Sequence, residues 1–140
     1  MQNNKIKKNP WIFFADKSLK AAEHLITDVE LTGEVVFCCQ QSVEKFLKAY
    51  LFDLKIPFEK THDLIKLYDK IKKNKDLKIN ETLLENLSDL YIESRYPTDI
   101  ALLEGEVLPS VDDAKSYLEF AQNIAKLVLT EIQPEQQADS

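Results

Sequence analysis

Glycine is nearly missing from this chain, at 2 of 140 residues. Folds built from many strands and tight turns draw on glycine for left-handed turn positions, so an all-β architecture is excluded. A glycine-rich phosphate loop is excluded on the same ground. Proline is sparse too, at 5 residues, which rules out a collagen-like or Pro/Gly-rich disordered chain. The only cysteines are Cys38 and Cys39. Adjacent residues do not form an ordinary structural disulfide, and the pair lacks zinc-site spacing, so neither a metal nor another cofactor is expected. Two reduced thiols suit a cytoplasmic protein. No stretch reaches the roughly 18 apolar residues of a membrane span, and the charged start MQNNKIKKNPWIFF is not a signal peptide. Arginine is the scarcest cation: of the 18 basic residues, 17 are lysine and one is Arg95.

What remains is 44% hydrophobic and 30% charged, enough apolar surface for one core in one domain. The net charge is −6 and uneven. Residues 1–78 carry 15 lysines against 11 acids, whereas 79–119 carry 10 acids against Arg95 and Lys115. Broad, sequence-independent binding to nucleic acid needs many phosphate-neutralising cations and does not fit this balance. The densest basic run, Lys70, Lys72, Lys73, Lys75 and Lys78, reads as a solvated loop between apolar segments.

Five helical segments are expected. The first covers about 10–29, with Pro10 in its first turn and Trp11, Ala15, Leu19, Ala22, Ile26 and Val29 at helical spacing. The second covers 33–55. The third follows Thr61, read as its N-cap with Asp63 in the first turn, and reaches about 71. The fourth starts near Asn80, presents Leu83, Leu84, Leu87, Leu90 and Tyr91, and ends before Pro97. The fifth opens on Ser110–Asp113, resembling a capping box, and presents Ala114, Tyr117, Ala121, Ile124, Ala125, Val128 and Ile132. The expected fold is therefore all-α, an antiparallel four- to five-helix up-and-down bundle over 10–132. It is flanked by a flexible basic stretch, 1–9, and a disordered tail, 133–140.

The second segment carries the first functional signal. At about 100° per residue its apolar arc spans roughly 200°, wider than a one-sided surface helix, which makes it the central helix. Gln40 and Glu44 fall inside that arc and Lys48 at its edge. A carboxylate there needs a partner, and Lys48, four residues on, is well placed to provide one. Arg95, with a planar fork suited to carboxylates, is the other candidate. The trio forms either a polar network that fixes helix register or the lining of a pocket or dimer cleft.

The second signal is Tyr91–Pro97, YIESRYP, where the lone guanidinium sits beside Tyr96 at a helix end. Arginine grips phosphate or carboxylate through paired donors and stacks on flat rings. It also bonds to carbonyls at a helix C-terminus, which is the purely structural alternative.

The block QQSVEKFLKAYL (Gln40–Leu51), the turn THDL (Thr61–Leu64), YIESRYP and the Trp11–Ala15 start occur in an order and at distances that resemble the HEPN domain family. The resemblance covers about residues 10–130. It implies an antiparallel helical bundle, often a homodimer, frequently encoded beside a minimal nucleotidyltransferase and linked to nucleotide or RNA binding. Many members are metal-independent RNases, several of them toxins, that use an arginine followed after four to six residues by a histidine. Here His24 and His62 both precede Arg95, so that nuclease motif is absent. The place of the missing histidine holds Asp99 and its neighbours; Asp99 or His62 would have to serve as base.

The expectation is a non-catalytic HEPN-type module that homodimerises and binds a nucleotidyltransferase partner or a nucleotide-like ligand. The ligand site would comprise Arg95 on phosphate, Tyr96 stacked on a ring, and Lys48, Glu44, His62 and Asp99 nearby. The alternative is an RNase toxin of a toxin–antitoxin pair. His24 with Glu23 and Asp28 makes no convincing metal set.

Overall fold

Apolar side chains at spacings of three and four organise five helices among the described residues: α1 (Pro10–Leu25), α2 (Thr32–Asp53), α3 (Leu64–Lys72), α4 (Glu81–Ser94) and α5 (Val111–Ala138). The computed structural model describes residues 9–94 and 108–138, and the side chains of 91–94 and 133–138 fall outside that description. No strand occurs among the described residues, so the expected all-α bundle is the fold. None of the described helices is long and apolar enough to cross a membrane.

α2 is the centre of the bundle, as its wide apolar arc predicts. It touches all four other helices, and 14 of its 22 residues are buried. Val35, Cys39, Val43, Phe46, Leu47 and Leu51 are fully inside. α1 lies antiparallel to it: Asn9 Nδ2 donates to the Ala49 carbonyl at 2.7 Å, and Ser42 Oγ to the Ala15 carbonyl at 3.0 Å. α3 and α4 form a second antiparallel pair, joined near one end by Lys72 to Glu81 and near the other by Leu64 to Ser88. α5 closes the core with Ala114, Ala121, Ile124 and Val128.

The boundaries differ from expectation where side-chain caps intervene. Asn9, placed by sequence in a flexible stretch, is buried because its side chain both caps α1 and bridges to α2. α1 stops at Leu25, so Val29 is exposed in a 3₁₀ turn, Val29–Leu31, capped by Asp28. The N-cap of α3 is Asp63, not Thr61; the Thr61 hydroxyl instead accepts from the Asp63 amide. α5 continues past 132 into the stretch read as a disordered tail, to Ala138. Pro134 supplies no amide donor to this helix, whereas the Gln, Glu and Ala residues around it are strong helix formers. Of the α4 face, Leu84 and Leu87 are buried and Leu83 and Leu90 half-buried; the Tyr91 side chain lies outside the described residues.

The scarcity of glycine has a local cost at the end of α2. Lys55 adopts φ 59°, in the left-handed region. The Ile56 amide donates to the Leu51 carbonyl at 2.9 Å and the Lys55 amide to Phe52 at 3.1 Å, a Schellman motif with lysine where glycine is usual. Lys55→Gly is expected to raise stability by up to about 1 kcal/mol, since the left-handed penalty exceeds the added unfolded-state entropy. Urea denaturation at equal slope checks this; a lowered midpoint contradicts it.

Candidate functional site

Three buried polar residues of α2, Gln40, Glu44 and Lys48, converge on one carboxylate. Glu44 lies on the inner face, its side chain only 4% exposed, beside that of Lys48 at 7%. Glu44 Oε2 accepts from Lys48 Nζ at 3.0 Å, the expected i,i+4 pair. Glu44 Oε1 accepts from His62 Nδ1 at 2.8 Å and from Gln40 Nε2 at 3.3 Å. Gln40 Nε2 also lies 3.3 Å from the His62 carbonyl, and Gln40 Oε1 accepts from Gln41 at 2.7 Å. Every buried side-chain polar atom among the described residues has a partner, as a low-dielectric network requires.

His62 reaches this carboxylate because its turn is fixed from three sides. Asp63 caps α3 through the amides of Ile65 and Lys66. The Leu64 amide donates to Ser88 Oγ of α4 at 3.1 Å. Gln40 of α2 holds the His62 carbonyl. His62 therefore sits just before the helix, with its side chain 50% exposed while Glu44 is buried. A buried carboxylate on Nδ1 orients an imidazole for hydrogen bonding or proton transfer at its other nitrogen.

Two aromatic residues complete the cluster, and sequence reasoning assigned neither of them to the site. Trp11, expected in the core, is half-buried with its ring centroid 5.3 Å from Lys48 Nζ. Phe58, in the loop after α2, packs edge-on against Trp11 at 5.8 Å. The ring offers the Lys48 ammonium a second favourable contact besides Glu44. The signal for Trp11 was its place as the sole tryptophan in the first turn of a helix; Phe58 gave none.

The structure thus brings Glu44, Lys48 and His62 together, with Gln40 beneath them. Lys48, expected to lend charge to a ligand, pairs with Glu44 and lies beside the Trp11 ring. Arg95, Tyr96 and Asp99 lie outside the described residues. The basic run is largely spoken for: Lys70 donates to the Pro57 carbonyl, Lys72 pairs with Glu81 at 2.7 Å and Lys75 with Glu131 at 2.9 Å. Three of its five lysines thus make intramolecular contacts at the surface. Burial, and secondarily its neighbour Cys38, pushes the Cys39 thiol up to about 12, so it is not a nucleophile near neutral pH. No group of acids, histidines and cysteines able to hold a metal occurs among the described residues. An open recess of about 740 Å³ lies elsewhere, between Ile79, Leu83, Phe120 and Leu127, and shares no residue with the cluster.

A family model described as the HEPN domain matches residues 9–132. No curated protein and no solved structure matches the chain. The match takes in α1 to α4, the Glu44 cluster and most of α5, and with it the chain belongs to the HEPN domain family of helical modules associated with nucleotide binding and RNases.

Proposed function

We propose that this chain is a non-catalytic HEPN-type module that forms a homodimer and binds, near Arg95, a nucleotide-like ligand or a partner nucleotidyltransferase. The observation that carries this reading is an order of residues. Arg95 is the only arginine and both histidines precede it, so the arginine-to-histidine spacing of the nuclease members has no counterpart. The Glu44–Lys48–His62 cluster, walled by Trp11 and Phe58, supports a ligand site at one side of α2. Arg95 would grip phosphate, Tyr96 would stack on a ring, and Asp99 would line the rim. Paired thiols with no disulfide suit the cytoplasm.

Calorimetric titration with ATP, other nucleotides and short RNA tests the ligand half. Binding is expected to fall by at least about tenfold in Arg95→Ala, the loss of a charge-assisted contact. Unchanged binding in that variant, or no binding by the intact protein, refutes the assignment.

One observation favours a second reading, an RNase toxin of a toxin–antitoxin pair using Arg95 with His62 or Asp99. The buried Glu44 holds the His62 imidazole as a catalytic carboxylate would. Incubation with total RNA separates the two: cleavage that disappears in Arg95→Ala makes the protein an enzyme.

A further inference from the structure

One face of α2 points away from the core. Glu34, Cys38, Gln41 and Lys45 recur there at spacings of four, three and four, within an arc of about 60° opposite the buried Val43 and Leu47. Cys38, Gln41 and Lys45 are half-buried and Glu34 is exposed. The Cys38 thiol is raised by burial and by Glu34 and drawn down by Lys45, so both charges act at the middle of this seam. Along the helix Glu34 and Lys45 lie about 16 Å apart, too far to meet. Neither forms an ion pair among the described residues.

We propose that this seam is where a second copy of the chain docks, with the two α2 helices antiparallel and related by a two-fold axis between residues 39 and 40. In that register Glu34 faces Lys45 of the second copy and Cys38 faces Gln41, and symmetry makes each contact twice. Residues 34 and 45 and residues 38 and 41 are centred on the same point, so one register satisfies both pairs. The four-three-four spacing is that of helices paired along a seam. α1 fits the same axis. Its Ala15 is level with Ser42 and its Asn9 with Ala49, which brings the 49% exposed Phe14 level with Ala21 of the second copy, a large side chain over a small one. The opposite edge of α1 faces α5, where Glu23 accepts from Gln122. Charge fixes register and orientation, and apolar contact supplies the area. The proposal rests on the homodimer read above and names its surface.

Sedimentation across a dilution series measures dimerisation of the intact protein and its variants. Glu34→Lys and Lys45→Glu should each weaken it by about tenfold or more, because each sets like charges face to face at two symmetric places. Glu34→Lys/Lys45→Glu restores opposite charges in the same register and should recover most of the loss. A role of either side chain within its own chain would not produce that rescue. Paired cysteines then probe the register. Glu34→Cys/Lys45→Cys, with Cys38→Ser, should form a disulfide-linked dimer under mild oxidation. Either new cysteine alone, in the same background, should link far less, since the two-fold axis holds like positions more than about 15 Å apart.

Failure of the rescue, or no link between positions 34 and 45, in a protein that does dimerise overturns this face while the homodimer stands. A protein monomeric at every dilution overturns the homodimer and this face together, whichever other partner covers the seam.

Discussion

Replacing Glu44 with leucine is expected to destabilise the domain by about 3–5 kcal/mol, as removal of one partner of a buried ion pair does. The loss comes from the Lys48 ammonium, whose side chain is only 7% exposed and which would keep, among its described contacts, the Trp11 ring. Lys48→Met should cost less, about 1–3 kcal/mol, because Gln40 and His62 still donate to Glu44. The double variant Glu44→Leu/Lys48→Met should cost clearly less than the two single losses together, since it leaves no charge uncompensated. Urea denaturation of the four proteins gives the coupling directly. Additive losses would mean that the two side chains do not depend on each other, contrary to their 3.0 Å contact.

Phe46→Ala is expected to be of similar size, about 3–5 kcal/mol, for a different reason. Phe46 is fully buried on α2 and ranks among the largest such side chains in the core. Its removal opens a cavity at the helix that every other helix packs against, and no neighbour can collapse into it without leaving its own contacts. Since a domain of this kind has about 5–15 kcal/mol in all, the variant should melt about 10 °C lower or fail to accumulate. Phe52, on the same helix but 43% exposed, is the control: Phe52→Ala should cost under about 1 kcal/mol. Equal losses at 46 and 52 would contradict the central position of α2.

These two predictions differ in how much of each was visible beforehand. Phe46 lies within the apolar arc of α2, and helical periodicity alone assigns it to the core. The Glu44–Lys48 pair was also legible, because a four-residue spacing places both side chains on one face. The approach of His62 to the same carboxylate was not. It depends on a loop of residues 54–63 returning along α2, and on Gln40, Asp63 and Ser88 fixing the turn from three elements. The Asp63 cap is local, but the contacts from Gln40, Glu44 and Ser88 join residues 18 to 24 positions apart, and no local pattern encodes them. The role of Trp11 escaped for a related reason. Its spacing fits the buried face, yet the first turn of α1 extends far enough for the ring to cover Lys48 instead of entering the core.

By itself, the sequence determined the helical class, the central helix, a carboxylate within its apolar arc that needs a partner, and the lone arginine that precedes no histidine. Periodicity and counting suffice for these, because they depend on one helix or on residue order. The tertiary structure decided which groups meet around Glu44, and that Lys48, Lys70, Lys72 and Lys75 have internal partners. Which charges find an internal partner depends on distances across the bundle, and no spacing along one helix encodes those.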